Sequence, residues 1–298
     1  MKPQSGPVAN YSRPQRNKAR FRRARPTLNL TAKIGVAILV ANLLTMVIGP
    51  LFAPHSPNDI ISDMVFARPG EVGLLGTDGL GRDLFSRMLY GARTTIGLSF
   101  IATVIGFVIG MALGFTAAEA GGWVDDTISR VVDIMISFPP MLLALIVIAG
   151  LGSSMVVLVC TVGITHASRV ARISRAIAME IAINEFVEVA RARGESLLSI
   201  LRREIWPNSI RPLAAEFGLR YTYSILFLSG LSFLGLGIQP PAADWGMMVK
   251  ENLAGLYYGA WAALLPAAAI SVITVGINLI VDWLGAQTGK QISQEMLK

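Results

Sequence analysis

Charge is scarce in this chain. Charged residues make up 15 % of its 298 residues, against roughly a quarter in an average soluble domain. Cysteine is almost absent. The single Cys160 excludes an intrachain disulfide and says little about redox compartment. The two histidines, His55 and His166, are too isolated to make a metal site, and no HExxH occurs. A phosphate-binding loop of the form GxxxxGK followed by Ser or Thr is also missing. The nearest text, GAQTGKQ at 285–291, has the wrong spacing, ends in Gln and lacks a preceding strand. No GxSxG is present. These absences leave no catalytic, cofactor-binding or metal-ligating residue to assign, and ATP has no P-loop here to bind.

What is present is apolar. Hydrophobic residues make up 53 % of the chain and gather into long runs, which points to a bilayer rather than a large soluble core. Six runs qualify as spans, near 32–52, 94–118, 134–151, 154–171, 213–235 and 260–284. Each is close to the ~20 residues that cross ~30 Å of hydrocarbon. In lipid they must be helices, because their backbone groups have no water to bond. The expected fold class is an all-α polytopic membrane protein with six transmembrane helices.

The net charge of +7 belongs to one end. Residues 1–33 hold nine Lys or Arg and no acid. This tail runs straight into the first apolar segment, so the positive-inside rule accounts for it better than nucleic acid does. The first run exceeds a signal-peptide core and reads as an uncleaved anchor. With the tail inside, Lys and Arg divide into 20 inside and five outside, with Arg220 within span five. That bias predicts an inner-membrane protein with both termini cytoplasmic. The organisation is then a basic tail 1–31, a first transmembrane helix 32–52, an outward segment 53–93, a five-helix core 94–284 and a tail 285–298. A cytoplasmic loop 172–212 interrupts the core, and 236–259 faces outward.

Within span two, Ala102, Gly106, Gly110, Gly114 and Ala118 recur every four residues. Small residues at that spacing let another helix approach closely, either within the chain or at a subunit or gate interface. Charged residues inside spans are candidates for function. Arg220 lies in span five; Asp133 and Asp282 lie close to span ends, where snorkelling or helix packing suits them. A serine-hydrolase pair is the one enzyme reading the residues offer, with Ser153 after Gly150 and Gly152 and a base at His166. Ser153 sits in a short turn with His166 two turns or more along the next helix, so Ser153 reads better as a helix end.

The stretch EFVEVARARGESLLSILRREIWPNS at 185–209 breaks the apolar pattern. Ile183, Phe186, Val187 and Ala190 follow helical spacing, with Asn184, Glu188 and Arg191 on the other face. Gly194 predicts a helix end. A second short helix follows, with Leu197, Leu198, Leu201 and Ile205 opposite Arg202 and Arg203. Pro207 and Pro212 lead into span five. Such a pair of helices could lie on the membrane surface or fit a groove on another protein.

This strip resembles the cytoplasmic loop of ABC importer permeases, which reads Glu-Ala-Ala, three residues, Gly, then Pro thirteen residues on. Glu188, Ala190, Gly194 and Pro207 match at that spacing. Val189 replaces one Ala, Ile205 sits one place later than in the broad pattern, and Trp206 replaces the usual Leu. LLGTDGLGRDLFSRMLYGAR at 74–93 and FLGLGIQPPAADWGMMV at 233–249 resemble signatures of the dipeptide and oligopeptide (peptide/nickel) permease family, in its C-type subunit. The ending DWLGAQTGKQISQEMLK departs from the Arg-Asp and Asp-Pro sequence common after span six in that family.

The resemblance implies the transmembrane domain of a type I ABC importer. It implies a second homologous permease subunit, two ABC ATPase subunits that bind ATP and magnesium, and a periplasmic or lipid-anchored substrate-binding protein. No nucleic acid is implied. The strip would couple to the ATPase through Phe186, Val187, Glu188, Ala190, Arg191, Gly194, Leu197, Ile205 and Pro207. Substrate stays open among dipeptides, oligopeptides, nickel chelates, glutathione and sugars. The alternative is a secondary carrier or channel without an ATPase, which predicts acids at the bilayer midplane.

Overall fold

The computed structural model of the chain describes residues 28–296, with side chains to Ala286. The basic tail is thus outside the described residues up to position 27, as are the side chains of the tail from 287 onward. Among the described residues, ten α-helices run in order: α1 Leu30–Ile48, α2 Leu84–Ala120, α3 Gly122–Ser137, α4 Pro140–Leu151, α5 Met155–Ala182, α6 Glu185–Ala192, α7 Leu197–Ile200, α8 Trp206–Phe233, α9 Trp245–Glu251 and α10 Leu264–Met296. Among the described residues, extended pairing is limited to two isolated bridges, Ile60 with Arg82 and Thr77 with Asp83.

Side-chain caps set several starts. Asn29 Oδ1 accepts from Ala32 N at 2.9 Å ahead of α1. Asp83 Oδ2 accepts from Ser86 N at 2.9 Å ahead of α2, and Ser154 Oγ from Val157 N at 3.3 Å ahead of α5. Each satisfies a first-turn donor that the helix itself cannot.

Among the described residues, four helical stretches are long and apolar enough to cross a membrane: Leu30–Phe52, Leu84–Ala120, Met155–Ala182 and Leu264–Ala286. The run expected as one span over 134–151 is instead two helices, α3 and α4, meeting at 88°. Pro139 and Pro140 explain the break. Each disfavours helical backbone in the residue before it, and Phe138 and Pro139 adopt extended ψ angles of 134° and 124°. Counted as one bent span, this pair makes a fifth. The expected span over 213–235 is the 28-residue α8, which has the length to cross but not the mean hydropathy. Glu216, Arg220 and several hydroxyls lower it.

Boundaries shift elsewhere. Residues 84–93, read as the end of an outward segment, are the first turns of α2. At 37 residues α2 is about 55 Å long, well beyond the hydrocarbon thickness. α5 continues to Ala182, so the first eleven residues of the expected loop 172–212 are helical. Pro212 does not interrupt α8, which holds it internally.

The bundle is organised around α2 and α5, with α8 packed against α10, α2 and α5, and α1 against α10. One core cluster joins Leu84, Ile96, Tyr221, Ile225, Trp245 and Ile273. A second joins Ala102, Ile148, Leu158, Val162 and Leu228. The third lies under the charged strip.

The small-residue stripe closes within the chain. A Cβ on Gly106 would meet the Gly163 carbonyl oxygen at 2.7 Å, one on Gly110 the Ala167 oxygen at 2.6 Å, and one on Gly114 would come closer still to Ala171. Ala102 is fully buried in the same helix face, and Ala118 packs at its far end. The α2–α5 seam therefore has backbone against backbone, which only glycine permits at these three positions.

Candidate functional site

Two polar regions sit at opposite ends of α2. One is the strip 185–207. α6 opens after Asn184, whose side chain donates back to the Ile181 carbonyl at 2.8 Å and so closes α5. α6 ends at Ala192, and the chain turns at Gly194, with φ +74°. Glu195 N donates to the Ala190 carbonyl at 3.2 Å, the six-to-one bond of a glycine-terminated helix. Ser196 Oγ then caps α7, accepting from Ser199 N at 3.4 Å. Glu195 ties the corner together: it accepts from Ser199 Oγ and from Arg193 Nη2, both at 2.8 Å. The Ser199 and Arg193 bonds hold the Glu195 carboxyl below its ordinary range. A π-helical turn, Leu201–Ile205, leads into α8, and Pro207 occupies the second position of that helix, where its missing N–H leaves nothing unpaired.

The strip residues divide into two sets. Val187, Ala190, Ile200 and Ile205 are buried beneath it with Phe107, Phe115, Val170 and Leu213. Each large aliphatic side chain buried this way is worth about 1.5–3 kcal/mol. Val187, Ala190 and Ile205 therefore fasten the strip to its own bundle. Phe186, Glu188, Gly194, Leu197 and Pro207 are exposed, as are Ile183, Val189 and Leu198. Arg191 makes a forked pair with Glu119 at the end of α2, at 2.8 and 3.2 Å. The Glu119 hydrogen bonds raise the Arg191 guanidinium above its ordinary value.

The other region is a clamp that the residue-by-residue reading did not find. It brings 74–93 against 244–252. Asp78 Oδ2 lies 2.6 Å from Arg82 Nε and 3.3 Å from Arg87 Nε. Both arginines reach Glu251 Oε2 at 2.9 Å. Asn252 Oδ1 accepts from Gly79 N at 3.0 Å. Asp244 accepts from Thr95 Oγ1 at 2.8 Å and caps α9 through Met247 N at 3.0 Å. Burial pushes the Asp244 carboxyl up against these hydrogen bonds. Trp245 is buried against Gly91 and donates to the Met88 carbonyl at 3.0 Å. The two stretches that resemble family signatures are thus one structural unit. Only their shared peculiarity of sequence hinted at it, because residues some 165 apart leave no mark in local periodicity.

The remaining candidates separate. Asp133 pairs with Arg172 on α5, and Asp282 is exposed. His166 is buried eleven residues past the start of α5, roughly 16 Å along the helix axis, while Ser153 precedes that helix. No serine–histidine pair forms there.

An apolar helical bundle with a protruding, glycine-cornered strip defines the class. The chain belongs to the family described as the binding-protein-dependent transport system inner membrane component, whose model matches residues 106–293. It is 32 % identical over 256 residues to the dipeptide transport system permease protein of Alkalihalophilus pseudofirmus, covering 86 % of this chain and 84 % of that one. It is 35 % identical over 252 residues to a putative peptide transport system permease protein of Brucella suis, covering 85 % of each. It is 36 % identical over 216 residues to the glutathione transport system permease protein of Pectobacterium atrosepticum, covering 72 % of each. An inward-facing structure of the MetNI methionine ABC transporter shares the fold, with a TM-score of 0.53 and 19 % identity, over 66 % of this chain and 96 % of that chain. The chain is therefore a permease component of a membrane transport system, a non-catalytic role.

Proposed function

We propose that this chain is one transmembrane half of an ATP-driven importer for di- or oligopeptides, coupled to its ATPase through the 185–207 strip. The observation that carries the reading is the strip's division of labour. Four aliphatic or small side chains and the Arg191–Glu119 fork hold it to the bundle, while Ile183, Phe186, Val189 and Leu198 stay exposed on a rigid corner. An amphipathic membrane strip would turn one continuous apolar face to lipid. Here the most buried apolar residues face the protein, and the exposed ones alternate with Glu185, Glu188 and Arg193, as a reversible protein contact requires. The names of the relatives support peptides as substrate class.

In this reading a second homologous permease completes the path. Two ATPase subunits bind ATP and magnesium, and a binding protein delivers substrate. α8 spans the membrane despite its polarity because its polar face is packed against α2, α5 and α10. Both termini lie in the cytoplasm, with the clamp outward and the strip inward, as the Lys and Arg bias favours. ATPase closure moves α6 and α7, and the long α2 and α5 carry that motion across the bilayer. Outward and inward states then differ by only a few kcal/mol, within reach of ATP and of the loaded binding protein.

The test is uptake of labelled peptide beside ATP turnover in proteoliposomes of the whole transporter. G194W and E188R leave the spans untouched and are expected to insert normally, yet to lose most ATPase copurification or most uptake per ATP. Normal uptake in both variants would overturn the coupling role. Peptide uptake without any ATPase would establish the carrier alternative.

A further inference from the structure

Between α5, α8 and the start of α4 lies a cavity of about 390 Å³. Its lining includes Pro140, His166, Arg169, Arg220 and Tyr223. Arg169 stands 14 residues after the start of α5, and Arg220 stands 13 before the end of α8. At 1.5 Å per residue both lie about 20 Å from the same end of the bundle, inside the depth of the hydrocarbon.

The pairing of these cations is incomplete. Arg169, Arg172 and Arg175 follow one another at three-residue spacing on α5. Arg172 pairs with Asp133 and Arg175 with Asp125, both on α3. α3 stops at Ser137, and the Pro139–Pro140 break turns the chain through 88°. The series of acids ends there. Arg169 makes no ion pair among the described residues and faces the cavity instead. Arg220 Nε pairs with Glu216 Oε1 at 2.6 Å, one turn back on α8. The Arg220 guanidinium stacks over the Tyr223 ring at 5.1 Å. His166 is only 4 % exposed, and neither of its ring nitrogens has a hydrogen-bond partner.

Arg169 thus stands without an ion pair at membrane depth, beside the Arg220–Glu216 pair and a buried imidazole with no hydrogen-bond partner. Unpaired charge is expensive there and marks a path for charged cargo. Guanidinium groups match carboxylates as a fork, with two parallel hydrogen bonds. The volume suits a chain terminus with a residue or so, rather than a whole oligopeptide. Every peptide with a free C-terminus carries one carboxylate there, whatever its side chains. A station that reads this group would pass many sequences and leave selection to other parts of the system.

We propose that Arg169 and Arg220, with His166, form an anion station in the translocation path that holds the terminal carboxylate of a passing peptide. The proposal rests on the peptide-importer reading above. The rival is a purely structural role in which these cations only pack α5 against α8.

The experiment compares uptake of a dipeptide with uptake of its C-terminal amide by the complete transporter in proteoliposomes, with binding protein saturated by each. Wild type, R169Q and R169K are measured, with ATP turnover in the same vesicles reporting assembly. The binding protein's own preference is common to all three and cancels in the comparison. The acid-to-amide ratio is expected to fall about tenfold in R169Q, the scale of one lost charge-assisted hydrogen bond, and to recover partly in R169K. Equal ratios in wild type and R169Q would overturn the station while leaving the importer reading intact. If R169Q does not assemble, the paired E216Q/R220Q variant takes its place, since it removes both charges together, with the same two outcomes. A wild-type transporter that moves neither peptide would overturn the importer reading itself, and the station with it.

Discussion

The clamp and the strip are both polar interruptions of an apolar chain, attached to the two ends of the same helix, and they are built in opposite ways. In the clamp, Asp78, Arg82 and Arg87 are almost wholly buried, and Glu251 joins the two arginines from 169 and 164 residues away. Its charges are compensated inside the protein. In the strip, Arg191, Arg193 and Glu188 are exposed, and the corner is local in sequence, held by bonds within Ala190–Ser199. A buried network of this kind resists rearrangement, because removing any member strands the others. A locally folded, exposed corner can be pushed as a unit and remain folded. The clamp thus holds the start of α2, α9 and the segment before α2 together, whereas the strip, in the proposed reading, is the part that moves.

Substitutions can break this contrast, and the largest effect is expected in the clamp. R87M removes a side chain that is 2 % exposed and leaves Asp78 and Glu251 with Arg82 alone. Losing one partner of a buried charge network costs about 3–5 kcal/mol. Thermal unfolding of the purified complex should show a steep loss of stability, or the subunit should fail to accumulate. A stability close to wild type would mean the clamp does not hold the fold.

Next comes the helix seam between the two regions. G110A places a Cβ 2.6 Å from the Ala167 carbonyl oxygen. Overpacking of this kind costs about 1–3 kcal/mol, and the backbone on both sides has little room to give. A lowered midpoint in the same unfolding assay is expected, with a larger drop for G110L. An unchanged midpoint for both would show that α2 and α5 can separate freely.

The smallest stability effect is expected in the strip. R191A removes a half-exposed fork, in which the Arg191 side chain is 45 % accessible and that of Glu119 6 %. The cost is expected near the upper end for surface pairs, about 1 kcal/mol. The unfolding midpoint should barely move, while uptake per ATP falls because the strip is less firmly tied to α2. A large unfolding shift with unchanged coupling would reverse the assignment of the two regions.

The strip was more legible in the sequence than the clamp, and the reason is range. The chain turns at Gly194, just past α6, where the periodicity of Phe186, Val187 and Ala190 stops, since a left-handed corner is a local requirement. The four-residue recurrence of Gly106, Gly110 and Gly114 likewise marked a close helix approach, although not its partner. What periodicity does not carry is direction and distance. α4 and the end of α3 read as one apolar run because hydropathy is blind to an 88° turn, even with Pro139 and Pro140 in view. The run 213–235 read as a span with Arg220 inside it, and the packing that covers Glu216 and Arg220 on α8 shows only in the fold. Arg169 lies near the end of the run read as 154–171, whereas α5 runs on to Ala182 and leaves it midway along that helix. Asp78, Arg87 and Glu251 meet only in the folded chain.

The most direct test of the coupling role uses a photo-crosslinking amino acid in place of Phe186, which is exposed on α6, in the complete transporter in native membranes. Irradiation should yield an adduct between this chain and the ATPase subunit, strengthened or weakened by nucleotide. Adducts to lipid alone, with none to the ATPase in any nucleotide state, would contradict the account and make the strip a membrane-surface helix pair.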